Sequence, residues 1–117
     1  VLFEKHSDHI AIVTLNRPEA RNAVNSEVAN RLGEIVEEIE NDPNIRVAIL
    51  TATGEKVFCA GADLKEVSKG GLDNLYTDAG GFAGFVQYDR KKIWIAAVCY
   101  MRLLRQALAK FRLHRTR

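Results

Sequence analysis

Several things are scarce in this chain, and each scarcity removes a class of protein. Two cysteines, Cys59 and Cys99, are too few for a disulfide framework, so free buried thiols in a reducing cytoplasm are expected. No apolar run is long enough to span a bilayer. The start, Val1-Leu2-Phe3-Glu4-Lys5, lacks the basic-then-apolar pattern of a secretory signal. Val1 is not an initiator methionine, so the chain is expected to begin inside a longer product. No His, Cys, Asp or Glu spacing resembles a metal site, and no Ser-His-Asp order has a nucleophile turn. Gly80-Gly81-Phe82-Ala83-Gly84 is no phosphate loop, because no Lys-Ser or Lys-Thr comes after it. No glycine occurs after Gly84 and no acid after Asp89.

What is present fits one small domain: 117 residues, 47% of them hydrophobic. The net charge of +2 conceals a split. Residues 1–98 hold all fifteen acids against eleven basic residues, whereas residues 99–117 hold six basic residues and no acid. Such a break marks a boundary between two segments.

Val1 to His6 and His9 to Leu15 read as a β-hairpin turning at Ser7-Asp8, with both faces of the second strand partly covered. Pro18 ends the strand, since it has no N–H for the ladder. A helix is expected from Ser26, its N-cap, to Asn41, with Val28, Leu32, Ile35, Val36 and Ile39 on one face. Asp42-Pro43 stops it, and Arg46 to Thr51 reads as a strand buried on both sides. Strand, helix and strand then form a β-α-β unit. A short strand over Val57 to Cys59, a helix over Asp63 to Ser68, a glycine-weakened helix over Leu72 to Asp89 and a buried strand over Ile93 to Val98 complete the expected α/β layout.

The most informative stretch is Phe58-Cys59-Ala60-Gly61-Ala62-Asp63-Leu64. Its small residues allow a ligand to approach the backbone, Gly61 permits φ/ψ values denied to other residues, and a helix starts at once. Main-chain N–H donors aimed at one spot suit an anion or the oxygen of a carbonyl or thioester. The plainer reading is a tight turn with no ligand. Asn16-Arg17-Pro18-Glu19-Ala20-Arg21-Asn22-Ala23-Val24-Asn25 lies upstream and Trp94-Ile95-Ala96-Ala97-Val98 downstream. The three stretches, in this order and spacing, resemble the crotonase superfamily of enoyl-CoA hydratases and isomerases. The likeness covers residues 1–98.

That resemblance implies the first half of a crotonase-like ββα spiral, with an atypical basic helical tail after it. It implies an acyl-CoA thioester partner whose carbonyl is polarised by the Ala62 backbone N–H. It places Ala60, Gly61, Ala62, Asp63 and Leu64 along the adenine and pantetheine pocket, and Ala20 and Arg21 beside the CoA. Arg21 reads equally as a partner for a CoA phosphate or as a solvated loop residue. A backbone donor requires only a small side chain, which accounts for alanine at 62; one such donor is worth roughly 3 to 4 kcal/mol of barrier. Asp63 reads as the cap of the next helix rather than as an acid or base, and Cys59 as a small packed residue rather than a nucleophile. Phe82, Phe85 and Tyr88 read as core, with contact to an acyl chain as the alternative. No tightly bound cofactor, nucleic acid or membrane partner is expected, and the implied compartment is the cytoplasm. Full-length members are implied to be trimeric.

The resemblance also implies a second donor glycine and catalytic glutamates beyond the last strand. These have no counterpart in Cys99-Tyr100-Met101-Arg102 or in residues 103–117. Hence the expected function is an enoyl-CoA hydratase/isomerase-like protein that binds acyl-CoA and stabilises a thioester enolate but is incomplete and inactive by itself. The alternative is a non-catalytic CoA-binding or subunit-interaction fragment. Residues 99–117 read as an out-of-frame continuation. Alternatively they form a basic amphipathic helix, with Met101, Leu104, Leu108 and Phe111 on one face, for an acidic membrane or nucleic acid, or an appendage with no fixed partner.

Overall fold

The computed structural model describes residues 1–98. The expected helix over 99–117, its apolar face and Cys99 lie outside the described residues. Strands β1 (Leu2–Lys5) and β2 (Ile10–Leu15) form the antiparallel hairpin expected from the sequence. Helix α1 (Ser26–Asn41) then leads to β3 (Val47–Ala52), which pairs parallel to β2. After a short α2 (Leu64–Ser68) and a two-stranded ribbon, β4 (Tyr76–Thr77) with β5 (Gly81–Phe82), the chain enters β6 (Ile93–Ala96). The main sheet has the order β1-β2-β3-β6, with β6 parallel to β3.

Register divides the sheet into two unlike faces. Phe3, Val13, Leu50 and Ala96 align across the four strands on one face, and Glu4, Ile12, Ile49 and Ile95 on the other. Ala11, Val13, Leu15, Ala48 and Ala52, all on the first face, join Val28, Ala29, Leu32, Ile35, Val36 and Ile39 of α1 in the core. Small side chains on β3 let the helix approach closely while its branched residues fill the space above. The second face has no such cover among the described residues. Ile93 is 63% exposed and Ile95 49%. Among the described residues, the expectation that β3 and the last strand are buried on both sides is therefore corrected: α1 covers one face.

Three local expectations also change. The N-cap of α1 is Asn25, whose side chain accepts from Val28 N–H; Ser26 is the first helical residue, and its own N–H donates to Glu66 Oε2 at 2.8 Å. Residues 57–59 form no strand. Leu72 to Asp89 is not a helix but a 3-10 turn (Leu72–Leu75), the β4–β5 ribbon and further turns. The glycines decide this: Gly81 and Gly84 adopt φ of 66° and 67°, left-handed values that interrupt a right-handed helix. Gly84 also rests on α1 so closely that a Cβ there would lie 2.5 Å from Ala29 O. Phe82, Phe85 and Tyr88 pack against the core, in line with the packing alternative.

Glu40, near the end of α1, anchors the approach to β6. It accepts from Trp94 Nε1 at 2.8 Å and from the Lys91 and Lys92 N–H groups at 2.7 and 3.3 Å. Burial of this carboxyl opposes ionisation, but the three donors and the Lys92 charge outweigh it and hold its pKa below the ordinary value. A carboxylate whose pKa is lowered on folding stabilises the protein above its unfolded pKa, and this contribution disappears as pH falls through the folded value. Urea midpoints measured from pH 6 down to pH 3 are therefore expected to fall more steeply for the wild type than for Glu40→Gln, which starts less stable at pH 6.

Candidate functional site

The site is assembled from two loops that come after β2 and β3, and Asn22 joins them. Arg17 to Asn22 make a tight turn in which Asn22 N–H donates to Arg17 O at 2.8 Å. Arg21 and Asn22 take φ of 56° and 55°, the left-handed region that costs an ordinary L-residue roughly 1–2 kcal/mol. Buried hydrogen bonds offset that cost. Asn22 is 2% exposed; its Oδ1 accepts from Arg17 N–H at 2.8 Å, and its Nδ2 donates to Thr53 O and Val57 O, each at 3.0 Å. One amide side chain thus holds the 53–57 loop against the 17–22 turn.

Beyond that point the two segments run side by side. Ala60 N–H donates to Arg21 O at 3.1 Å, Val24 N–H to Gly61 O at 2.8 Å and Asp63 N–H to Val24 O at 2.8 Å. The last two bonds make a parallel bridge between Val24 and Ala62. A bridge of this kind uses the carbonyl before and the N–H after the bridged residue, and leaves that residue's own N–H and C=O facing the other way. A trans peptide fixes the direction further. With Gly61 O bonded to Val24, the Ala62 N–H on the same peptide plane points away from Val24. That N–H has no hydrogen-bond partner among the described residues. Gly61 has φ of +93°, and among the described residues no heavy atom lies within 4 Å of where its Cβ would stand. Conformation, not crowding by the described residues, therefore demands glycine.

Asp63 starts α2 as the expected cap. Its Oδ1 accepts from Lys65 N–H at 3.0 Å, and its Oδ2 accepts from both Arg17 Nη1 and Nη2 at 3.2 Å. Arg17 Nη1 also donates to Ala23 O at 2.7 Å. Burial opposes ionisation of this carboxyl, yet the Lys65 N–H and the Arg17 guanidinium bring its pKa below the ordinary value. A carboxylate so engaged is poorly placed to exchange protons with a substrate. Cys59, expected buried, is half-buried, and its Sγ lies 3.5 Å from the Gly61 nitrogen that donates to it.

Next to the joined loops lies an open cleft of about 800 Å³. Pro18, Arg21 and Asn22 form one wall, and Thr53, Lys56 and Val57 the other. Arg21 thus faces the cleft, whereas Ala60 to Leu64 do not line it. Ala20 is half-buried at the end of the 3-10 turn, and Leu64 is 78% exposed. The structure consequently unites Ala60, Gly61, Ala62 and Asp63 with Arg21 through the backbone, and leaves Leu64 to one side. Sequence reasoning finds neither Lys56 nor the Arg17–Asp63 pair. Lys56 sits in an unremarkable charged turn, and no local pattern signals a pair 46 residues apart. Among the described residues no cluster of His, Cys, Asp or Glu suits a metal, and no helix is long and apolar enough to cross a membrane.

The family model for enoyl-CoA hydratase/isomerase matches residues 5–99. The chain is 41% identical over 87 residues to the carnitinyl-CoA dehydratase of Proteus mirabilis, covering 74% of this chain and 33% of that protein. It is 45% identical over 69 residues to the short-chain-enoyl-CoA hydratase of Clostridium acetobutylicum, covering 59% and 26%. Among solved structures, carnitinyl-CoA hydratase from Mycobacterium avium superposes with a TM-score of 0.75 at 42% identity, covering 82% of this chain and 37% of that one. Enoyl-CoA hydratase from Mycobacterium tuberculosis gives 0.73 at 40%, covering 83% and 36%. The chain therefore spans about a third or less of the curated relatives named here, and its α/β layout is that of part of the crotonase fold.

Asn22→Ala removes three hydrogen bonds and leaves Arg17 N–H, Thr53 O and Val57 O without them. A loss of about 3 kcal/mol is expected, read as a lower urea midpoint together with faster proteolytic nicking near Gly54.

Proposed function

The chain belongs to the enoyl-CoA hydratase/isomerase family, and from that premise we propose that residues 1–98 carry the CoA-binding and carbonyl-polarising part of an acyl-CoA site. The observation that supports this most directly is the Ala62 N–H, turned away from its bridge and without a partner among the described residues, beside the side of Gly61 that those residues leave uncrowded. The thioester oxygen accepts from that N–H. As a proton leaves or joins the acyl chain the oxygen gains negative charge, and a donor already in place stabilises it without reorganisation. The backbone of Ala60, Gly61, Asp63 and Leu64 runs alongside the pantetheine arm, with Ala20 flanking the coenzyme. Arg21 and Lys56 line opposite walls of the cleft, where two cations suit the coenzyme's phosphates, while Glu19 and Glu55 on the same walls temper the field. CoA enters as part of the substrate, not as a resident cofactor.

Proton transfer is not furnished by the described residues around Ala62. Asp63 is committed to Arg17 and Lys65, and His6 and His9 lie exposed at the hairpin turn on β1–β2. A missing general base costs roughly 10²- to 10⁴-fold, so the chain by itself binds and polarises but does not turn over. A second reading, a subunit-interaction fragment, draws on the uncovered sheet face with its exposed Ile93 and Ile95.

An aryl-conjugated enoyl-CoA thioester tests both steps, because its absorbance shifts to the red when its carbonyl is polarised. The wild-type chain is expected to bind it with a red shift and to leave crotonyl-CoA unhydrated. Ala62→Pro, which deletes the N–H, is expected to retain binding and lose the shift. Arg21→Ala with Lys56→Ala is expected to weaken binding about tenfold, equivalent to about 1.4 kcal/mol, with the shift intact at saturation. Absence of binding, or measurable hydration, overturns the proposal.

A further inference from the structure

We propose that Arg17 is the positioning residue for the Ala62 amide, acting through the Asp63 carboxylate and the Ala23 carbonyl; the inference rests on the reading of Ala62 as a thioester donor.

Two main-chain bonds alone make the Val24–Ala62 bridge. The residue on one side of it, Gly61, has the widest conformational freedom of any residue type and occupies φ of +93°. A bridge held by two bonds and flanked by a glycine fixes a peptide plane weakly. The Ala60 N–H to Arg21 O bond ties the segments before Gly61, and Arg17 supplies the tie after Ala62. Nη1 donates at once to Ala23 O at 2.7 Å, next to Val24, and to Asp63 Oδ2 at 3.2 Å, next to Ala62; Nη2 adds a second bond to the same oxygen. The guanidinium therefore pins the neighbours of both bridged residues to one another. Arginine suits this task because its planar fork makes several donations in one fixed geometry, whereas a lysine ammonium offers a single flexible point.

The clasp is itself well held. The Arg17 side chain is 24% exposed and that of Asp63 14%, so solvent screens the pair only partly. Arg17 N–H is bonded to Asn22 Oδ1, and the other oxygen of Asp63 is bonded to Lys65 N–H. With Asp63 fixed, its N–H stays on Val24 O, Gly61 O stays on Val24 N–H, and the Ala62 N–H keeps its direction. Arg17 lies on the bridge side of the peptide, away from where a thioester would sit, and acts only through the backbone it holds.

The test uses the full chain as wild type, Arg17→Gln and Arg17→Lys, with two readouts. Without ligand, hydrogen exchange at the Val24 and Asp63 amides is expected to accelerate at least tenfold in Arg17→Gln and by a few-fold in Arg17→Lys, with Ile35 in the core unchanged. With an aryl-conjugated enoyl-CoA thioester at saturation, the red shift is expected to shrink in the same order while affinity stays within about threefold. If Arg17→Gln fails to fold, Arg17→Lys carries both readouts. Unchanged exchange at Val24 and Asp63 in a folded variant, or an undiminished red shift, overturns the role of Arg17. A wild-type complex with no red shift overturns the reading of Ala62 instead, whatever the exchange rates show.

Discussion

The Val24–Ala62 bridge is the contact on which the rest of the site depends. Its two hydrogen bonds, Val24 N–H to Gly61 O and Asp63 N–H to Val24 O, tie the loop after β2 to the loop after β3. Once they form, peptide planarity leaves the Ala62 N–H one direction in which to point. Two neighbouring features accompany that contact: glycine at 61 allows the bend, and Asp63 caps the helix that carries the chain away.

Asp63 illustrates how structure and chemistry compete for one group. A carboxylate next to the amide proposed to polarise the thioester is an obvious candidate base. Its two oxygens, however, are bonded to Lys65 N–H and to the Arg17 guanidinium, and its pKa is lowered. A low pKa makes a carboxylate a weak base. Asp63 is thus held in a structural role, and the neighbouring cleft carries the cations Arg21 and Lys56 together with the carboxylates Glu19 and Glu55.

The two-faced sheet has a related consequence. Helix α1 covers the face that carries Ala11, Val13, Ala48 and Ala52, and the opposite face presents Ile12, Ile49, Ile93 and Ile95 with little cover among the described residues. Much of the fold is legible in the sequence because its signals are local: the α1 stripe, the hairpin around Ser7-Asp8 and the stop at Asp42-Pro43 each lie within a few residues. The stretch from Leu72 to Asp89 reads as a helix because its composition tolerates one. What forbids it is the left-handed backbone at Gly81 and Gly84, together with the contact of Gly84 against Ala29. The asparagine cap at 25 in place of Ser26 is a smaller difference of the same sort, since the Ser26 N–H is drawn to Glu66, 40 residues away.

The sequence by itself determined the order of the main elements, the helical face of α1, the need for glycine at 61, and the family. The first three rest on short-range rules of periodicity and φ/ψ freedom, and the family on three ordered motifs. Only the tertiary structure decided where the Ala62 N–H points, that Arg17 rather than a neighbour holds Asp63, that Lys56 lines a cleft opposite Arg21, and which sheet face is covered. Each of these depends on residues far apart in the chain, and their meeting is set by how β2, α1 and β3 pack, which no local pattern of residue types encodes.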